Sequence, residues 1–154
     1  MARRFRERGG AWVVGQFVLM LTVLVLGPAT QSGWRSALTI AGGLGLLALS
    51  ALTGIRGVRD LGGNRTPFPR PNDGAPLVTT GIYARLRHPL YASVMLFGFA
   101  WGLLWGSTAT LGAAGATAAF LHGKARHEER MLRERYPDYE GYARRVKRYV
   151  PGVW

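Results

Sequence analysis

The 154-residue chain contains no cysteine, which excludes a disulfide scaffold and a cysteine-ligated zinc site. It is poor in acidic residues, with 8 Asp and Glu against 20 Lys and Arg, so its formal net charge is +12. Charged residues make up only 18% of the chain and apolar residues 48%, a composition that excludes intrinsic disorder. The length allows one domain. An excess of positive charge fits either nucleic acid or an anionic membrane surface, so the positions of the charges decide between them.

Three long stretches of the chain carry no charged side chain. Residues 9–34 include the segment AWVVGQFVLMLTVLVLG, which is apolar on every face, whereas a surface helix would have a polar stripe. Residues 36–55 are rich in glycine and other small residues, which favour close helix packing in lipid. Residues 89–121 are interrupted near the middle by the sequence WGST and therefore predict a tight hairpin of two short spans.

These stretches predict an all-α, polytopic integral membrane protein, because about 20 apolar residues are needed to cross the hydrocarbon core of a bilayer. The predicted elements are four transmembrane helices at 11–30, 36–55, 89–105 and 107–123, a cytosolic loop at 56–88 and a cytosolic tail at 124–154. Together they form a single membrane domain over residues 1–154.

The first apolar stretch also has features of a secretory signal peptide, because Arg3, Arg4, Arg6 and Arg8 precede it. Its apolar core is longer than the usual signal-peptide core of about 7–15 residues, and no clean A-x-A cleavage site follows. We therefore expect this segment to be retained as a membrane helix.

The cations are distributed unevenly over the two sides of the predicted domain. Four spans place the N-terminal arm, the loop and the tail on one side, and these carry nineteen of the twenty Lys and Arg. Arg35 is the exception. By the positive-inside rule the cation-rich side is cytoplasmic, which predicts a protein of the inner or plasma membrane with both termini in the cytoplasm.

Two cytosolic segments have a composition unlike that of simple connectors. Residues 60–82 are rich in proline and glycine, which excludes a regular helix, and the segment is long for an inert loop. From Lys124 to Arg148, charges of both signs alternate with aromatic and aliphatic residues, which predicts an amphipathic helix at the membrane interface. Pro137 is expected to break this helix near Tyr136.

The segment RLRHPLY places candidate ligand-binding groups where the third span begins. Pro89 suits the first position of a helix, so Arg87, His88 and Tyr91 would surround the positive end of its dipole. Such an arrangement accepts a carboxylate or a phosphate. The same residues also fit ordinary roles, with arginine as a membrane anchor, tyrosine in an interfacial belt and proline as a helix starter.

The segment GKARHEER lies just beyond the fourth span and contains the acidic pair Glu128 and Glu129. A solvated helix with ion pairs four residues apart would account for it as well. However, the short hairpin makes the last two spans antiparallel neighbours, so this pair should lie beside RHPLY. A cationic and aromatic cluster facing two carboxylates suits a zwitterionic, hydroxyl-bearing ligand.

Other kinds of site find little support in the sequence. The three histidines, His88, His122 and His127, lack metal-ligand spacing, and we find neither a glycine-rich phosphate loop nor a nucleophile elbow. We do not expect nucleic-acid binding, because the basic tail directly follows a membrane span.

The pattern TTGIYARLRHPLYASV, followed by a hydrophobic hairpin and KARHEERMLRERYPDYEGYARRVKRYVP, resembles the superfamily of isoprenylcysteine carboxyl methyltransferases and phospholipid methyltransferases. The resemblance covers about residues 75–151. It implies an integral membrane enzyme that uses S-adenosylmethionine at the cytosolic face. The implied substrate is a lipid or lipid-linked small molecule, such as an isoprenylcysteine-like carboxylate or a phospholipid head group.

The resemblance also implies roles for individual residues. Together with Arg87, the predicted cofactor-binding residues are Ala75, Pro76, Leu77, Val78, Tyr83, His88, Pro89, Leu90, Tyr91 and Glu128. The predicted catalytic residues are Lys124, Arg126 and Glu129. Lys124 stands where the carboxyl methyltransferases have an arginine that orients the substrate carboxylate. Glu129, His88 or Tyr91 could assist the deprotonation of an amine or hydroxyl acceptor.

Two alternatives from other classes remain open at this point. Related membrane reductases have a similar architecture and bind NADPH near the same end, so a lipid or sterol reductase is the enzymatic alternative. A non-catalytic membrane scaffold is the structural alternative, and it would not depend on Tyr83, His88 or Glu128.

Overall fold

The computed structural model describes residues 9–64, 74 and 76–150. The α-helices in this part are α1 (Gly10–Ala29), α2 (Ala37–Leu61), α3 (Pro89–Trp105), α4 (Thr108–Arg135) and α5 (Tyr139–Arg145). Two short 3-10 helices, Gly62–Asn64 and Gly81–Ala84, lie between α2 and α3. These described residues form no β-strand, which confirms the predicted all-α class.

Local sequence signals set several of the helix ends. Ser36 caps α2 through a reciprocal pair of hydrogen bonds with Thr39, which satisfies donors that the first turn leaves unpaired. Pro89 is the first residue of α3, as predicted. Gly106 ends that helix with a φ of 61°, a left-handed conformation that glycine adopts readily, and Ser107 then caps α4. The predicted tight turn between α3 and α4 is therefore present, while their crossing of the membrane stays a prediction.

Two helices extend farther than the predicted spans. Helix α2 continues to Leu61 instead of ending at residue 55, and α4 continues to Arg135 instead of 123. The predicted bounds followed the first charged residue, but a helix does not have to end where it leaves the lipid. Helix α4 ends just before Pro137, with Tyr136 at its C-cap, as predicted.

Helix α3 occupies the centre of the bundle, where it contacts α1, α2 and α4, and α1 also packs against α4. Small residues make the close approaches possible. A Cβ atom at Gly57 would lie 2.8 Å from the side chain of Leu90, and one at Gly98 would lie 3.0 Å from the Cβ of Ala114. Such contacts are typical of helix packing in lipid, where small side chains let backbones approach each other.

The outer faces of α1 and α2 are apolar and exposed. Large side chains such as Phe17 and Leu21 on α1 and Leu38 and Ile55 on α2 are between 60% and 82% exposed. Both helices are long and apolar enough to cross a membrane, while α3 is apolar but shorter. These exposed faces suit contact with lipid chains. The count of four spans stays a prediction.

The bundle has two ends that differ in their side chains. At one end, Thr30 and Ser107 share a hydrogen bond of 2.7 Å between their hydroxyl oxygens. At the other end lie the start of α1, the end of α2, the start of α3 and the charged half of α4. We call this second end the charged end, and it contains the segments RHPLY and HEE.

Candidate active site

The candidate site is assembled at the start of α3. Because α4 continues unbroken to Arg135, its residues Glu128 and Glu129 lie opposite His88 and Tyr91 at the first turn of α3. The predicted adjacency of the two segments thus agrees with the geometry. Both glutamates contact this turn, but their surroundings differ sharply.

Glu128 lies at the accessible edge of the site. Its Oε2 atom accepts a hydrogen bond of 2.8 Å from the hydroxyl of Tyr91 and lies 3.9 Å from Nδ1 of His88. The two rings are nearly parallel, with an interplanar angle of 4° and centroids 5.3 Å apart. About a quarter of the Glu128 side chain, 24%, remains exposed. The side chain of Glu128 is therefore more exposed than that of Glu129, which is 0% exposed.

Glu129 is fully buried, and its carboxylate lies close to several nitrogen groups of other side chains. Arg148 donates two hydrogen bonds to it, from Nε at 2.9 Å and from Nη2 at 2.8 Å. His88 Nε2 lies 3.1 Å and Arg87 Nη2 3.3 Å from its Oε1 atom. Arg133 approaches Oε2 at 3.8 Å. We call Glu129 with these four partners the Glu129 cluster.

The two carboxylates consequently have opposite shifts in pKa. Burial raises the pKa of Glu128, and the nearby His88, Tyr91 and Lys124 only partly oppose this. Burial alone would raise the pKa of Glu129 too, but hydrogen bonds from His88 and Arg148 lower it far below its ordinary value. A carboxylate held by so many donors is a weak base. The predicted catalytic role of Glu129 stays a prediction.

Lys124 is buried on the inner side of the site, with 1% of its surface exposed. Its ammonium donates a hydrogen bond of 2.6 Å to Oε1 of Gln16 on α1 and lies 5.3 Å from the centroid of the Tyr91 ring. Burial lowers its pKa, and the negative charge of Glu128 counteracts that shift.

The segment after α5 returns to the site and covers the turn that precedes α3. The backbone N–H of Arg87 donates to the carbonyl of Lys147 at 2.8 Å, and that of His88 donates to the carbonyl of Arg148 at 3.1 Å. Tyr149 packs beside Ala92 and Ala125 in the adjoining apolar core. We call residues 146–150 the closing segment, since it ties the tail to the start of α3.

The remaining predicted residues lie around this centre or away from it. Tyr83 is buried, and its hydroxyl donates to the carbonyl of Gly57 at 3.3 Å, so that hydroxyl is engaged by α2. Leu77 packs against the cluster of Tyr139, Tyr142 and Val146. Pro76 is exposed, Val78 and Leu90 are half-buried and Pro89 is buried. Ala75 lies outside the described residues.

Arg126 is the predicted catalytic residue that the fold does not bring into the centre. Its side chain is exposed, and in the part of the chain that the structure describes it forms no hydrogen bond or ion pair with the site. Successive helical positions point about 100° apart, so a residue two positions after Lys124 faces away from it.

Two contributors to the site were not predicted from the sequence. Gln16 could have been noticed, because a side-chain amide inside an otherwise apolar span is uncommon and usually has a partner. Arg148 carried no such signal, since nine Lys and Arg occupy the tail and nothing in the sequence distinguishes Arg148 from the others.

Comparison with known proteins places this geometry in a family. A family model described as phospholipid methyltransferase matches residues 38–139. The chain belongs to the phospholipid methyltransferase family, which confirms the resemblance read from its sequence. The match includes α2, α3 and α4 and therefore both sides of the candidate site, while α1 and the closing segment lie outside it.

Two curated relatives match nearly the whole chain. The cobalt-zinc-cadmium resistance protein CzcN of Cupriavidus metallidurans is 33% identical over 149 residues, which are 95% of this chain and 64% of the relative. The nickel-cobalt-cadmium resistance protein NccN of Alcaligenes xylosoxydans xylosoxydans is 27% identical over 148 residues, 95% of this chain and 65% of the relative. The chain thus spans slightly less than two thirds of each of these proteins. Among its described residues, no three His, Asp or Glu side chains gather as a candidate metal site.

Proposed function

We propose that the protein transfers a methyl group from S-adenosylmethionine to a hydrophobic, membrane-embedded acceptor at the cytosolic face of the membrane. The observation that carries this proposal is the partly exposed side chain of Glu128, whose carboxylate accepts a hydrogen bond from Tyr91 beside the stacked ring of His88 at the start of α3. The acceptor would be a lipid head group or an isoprenylcysteine-like carboxylate.

The donors and acceptors at this site fit the amino-acid part of S-adenosylmethionine. Within the described residues, Glu128 uses only Oε2 for its bond to Tyr91, which leaves Oε1 for a ligand ammonium. The first turn of α3 has no side-chain cap, so its backbone N–H groups at Leu90 and Tyr91 are suited to a ligand carboxylate. These residues would hold the cofactor.

The bound sulfonium would supply an already activated methyl group, so the protein mainly has to align it with the acceptor. Alignment of this kind can contribute about 7–11 kcal/mol to lowering a barrier. A carboxylate acceptor needs no base, whereas an amine or hydroxyl acceptor does. His88 is the best placed for that task, because its ring lies between Glu128 and Glu129.

A groove in the lipid-exposed side of the bundle supports a hydrophobic acceptor. It has a volume of about 510 Å³ and lies between α2 and α3. Its lining consists of Ser50, Ala51, Gly54, Ile55, Val58, Arg59 and Ser93. Apolar walls with one arginine at the charged end suit a lipid chain with a polar or anionic head.

Replacement of Glu128 by glutamine should weaken S-adenosylmethionine binding by about tenfold or more, because hydrogen bonds to charged groups contribute about 1.5–3 kcal/mol. The measurement is calorimetric titration of the detergent-purified protein with S-adenosylmethionine and, separately, with NADPH. Glu134→Gln is the matched control, since Glu134 is an exposed residue of the same helix.

The affinity of the unmodified protein should also fall as the pH is lowered through the raised pKa of Glu128, because only the carboxylate pairs with an ammonium. Glu128→Gln should lack this pH dependence. Heat released with NADPH but not with S-adenosylmethionine would favour a reductase and refute the methyltransferase. Equal affinity of Glu128→Gln and Glu134→Gln would refute the site.

The proposed function requires the charged end to face the cytoplasm, which single cysteines can test because the chain has none of its own. A membrane-impermeant maleimide added to intact cells should label Ser32→Cys and leave Arg144→Cys unlabelled, and both should react after permeabilisation. Both positions are exposed, so burial does not confound the comparison. Labelling of Arg144→Cys in intact cells would overturn this orientation.

A further inference from the structure

Two exposed arginines of α4, Arg126 and Arg130, have no carboxylate partner in the part of the chain that the structure describes. By contrast, the arginines of the Glu129 cluster share the carboxylate of Glu129. Arg126 and Arg130 are four positions apart, so they lie next to each other on one face of the helix. Like charges at this spacing destabilise a helix, and an anion bound between them would remove that repulsion.

The indole ring of Trp12 on α1 lies beside this pair of arginines. It stacks on His127 of α4, with ring centroids 5.8 Å apart and an interplanar angle of 23°. A Cβ atom at Gly123, one turn before His127, would lie 3.4 Å from the Trp12 ring. Arg126 and Arg130 each follow one of these two residues by three positions, which makes them neighbours on the helix surface. The indole and the two guanidinium groups therefore belong to one surface formed by α1 and α4.

This surface lies where the apolar face of α1 meets the charged end. Trp12 is in the first turn of α1, and Val14 and Phe17, farther along the same helix, are 53% and 60% exposed. Tryptophan favours the head-group level of a bilayer, while exposed apolar side chains suit its hydrocarbon core. Cations at the head-group level attract lipids with a negative charge.

We propose that Arg126 and Arg130 bind the phosphate of an anionic phospholipid, whose head group rests against Trp12 and whose acyl chains lie on the exposed face of α1. A planar guanidinium can donate two parallel hydrogen bonds to phosphate oxygens. Because the arginines belong to α4 and the tryptophan to α1, the lipid bridges these two helices at the charged end. Arg126 faces away from the candidate active site, so this inference does not rest on the proposed function.

The test uses the full chain in a neutral detergent, with phosphatidylglycerol as the anionic lipid and phosphatidylcholine as the zwitterionic one. Native mass spectrometry measures how much of each lipid is bound over a range of concentrations. The site variant combines Arg126→Gln with Arg130→Gln. Its control combines Arg144→Gln with Arg145→Gln, which removes the same amount of charge from two exposed residues of α5.

We expect the unmodified protein to bind one phosphatidylglycerol about tenfold or more tightly than phosphatidylcholine, because each basic residue near an anionic lipid adds to the affinity. The site variant should lose this preference, and the control should keep it. Should the site variant fail to fold, Arg126→Lys with Arg130→Lys decides the matter. It keeps both charges without the planar forks and should bind phosphatidylglycerol several-fold more weakly than the unmodified protein.

The place of the lipid is tested by fluorescence. Phosphatidylglycerol with brominated acyl chains should quench tryptophan emission at one lipid per protein, and Trp12→Phe should remove most of this quenching. Unchanged quenching in Trp12→Phe would overturn the site, as would equal binding of the two lipids or an equal loss in the site variant and its control. Inorganic phosphate at the concentration of the lipid should not displace phosphatidylglycerol. Displacement would indicate a site for a free anion and refute the lipid site.

Discussion

Replacement of Glu129 by alanine is expected to destabilise the fold by about 3–5 kcal/mol, as is found when one partner of a buried ion pair is removed. The Glu129 side chain is 0% exposed and accepts both hydrogen bonds of the Arg148 fork. Arg87, with 10% of its side chain exposed, loses the same partner. Without Glu129, Arg87 and Arg148 keep their positive charges close together and lose the carboxylate that they share.

The measurement is denaturation of the purified protein in detergent, followed by tryptophan fluorescence. Glu140→Ala is the control, because that carboxylate is 52% exposed and pairs with Arg133 and Arg144 at the surface. Exposed pairs contribute about 0–1 kcal/mol, so its effect should be several times smaller. Similar losses in the two variants would show that the Glu129 cluster does not stabilise the tail.

The same comparison has an expected pH dependence. The folded-state pKa of Glu129 lies below its ordinary value of 4.5, so its stabilising contribution is present above that value and lost as the pH falls toward the lowered pKa. The difference between the unmodified protein and Glu129→Ala should therefore shrink in acid.

Replacement of Gly43 by valine should destabilise the bundle by about 3 kcal/mol, at the upper end of the usual range for an overpacked core. A Cβ atom there would lie 2.8 Å from Cγ of Leu104 and 3.2 Å from the carbonyl oxygen of Ala100. The Leu104 side chain could rotate, but the backbone oxygen belongs to α3 and cannot move alone. The two helices would have to separate.

Gly45→Val provides the matched control for this effect. Gly45 lies on the same helix, and a Cβ atom at that position would meet nothing within 4 Å. Both substitutions change helix propensity alike, so the difference between their denaturation midpoints in detergent reports the packing of α2 on α3. Equal midpoints would contradict the close approach at Gly43.

Local signals in the sequence were sufficient to predict the start of α3 and the end of α4. Pro89 and Pro137 act through their own backbone geometry, which no distant contact has to supply. The adjacency of RHPLY and HEE could also be predicted, because a two-residue turn between α3 and α4 leaves little freedom in their pairing.

The division of roles between Glu128 and Glu129 could not be predicted in the same way. The two are neighbours in sequence, and their difference depends on which arginine of the tail reaches which carboxylate. Arg148 reaches Glu129 only because the closing segment pairs with the backbone of Arg87 and His88. That pairing is a tertiary contact between segments about 60 residues apart, and hydrophobic periodicity carries no information about it.

The closing segment comes late in the chain, and this determines when the candidate site can assemble during synthesis. A ribosome completes residues 10–135, which contain α1 to α4, before it reaches Lys147 and Arg148. Until then, Glu129 lacks the two hydrogen bonds from Arg148, and the turn at Arg87 and His88 lacks its backbone pairing. Insertion of the helices and completion of the candidate site are therefore separate events during biosynthesis, and a chain truncated before residue 147 would reach the membrane with its site unassembled.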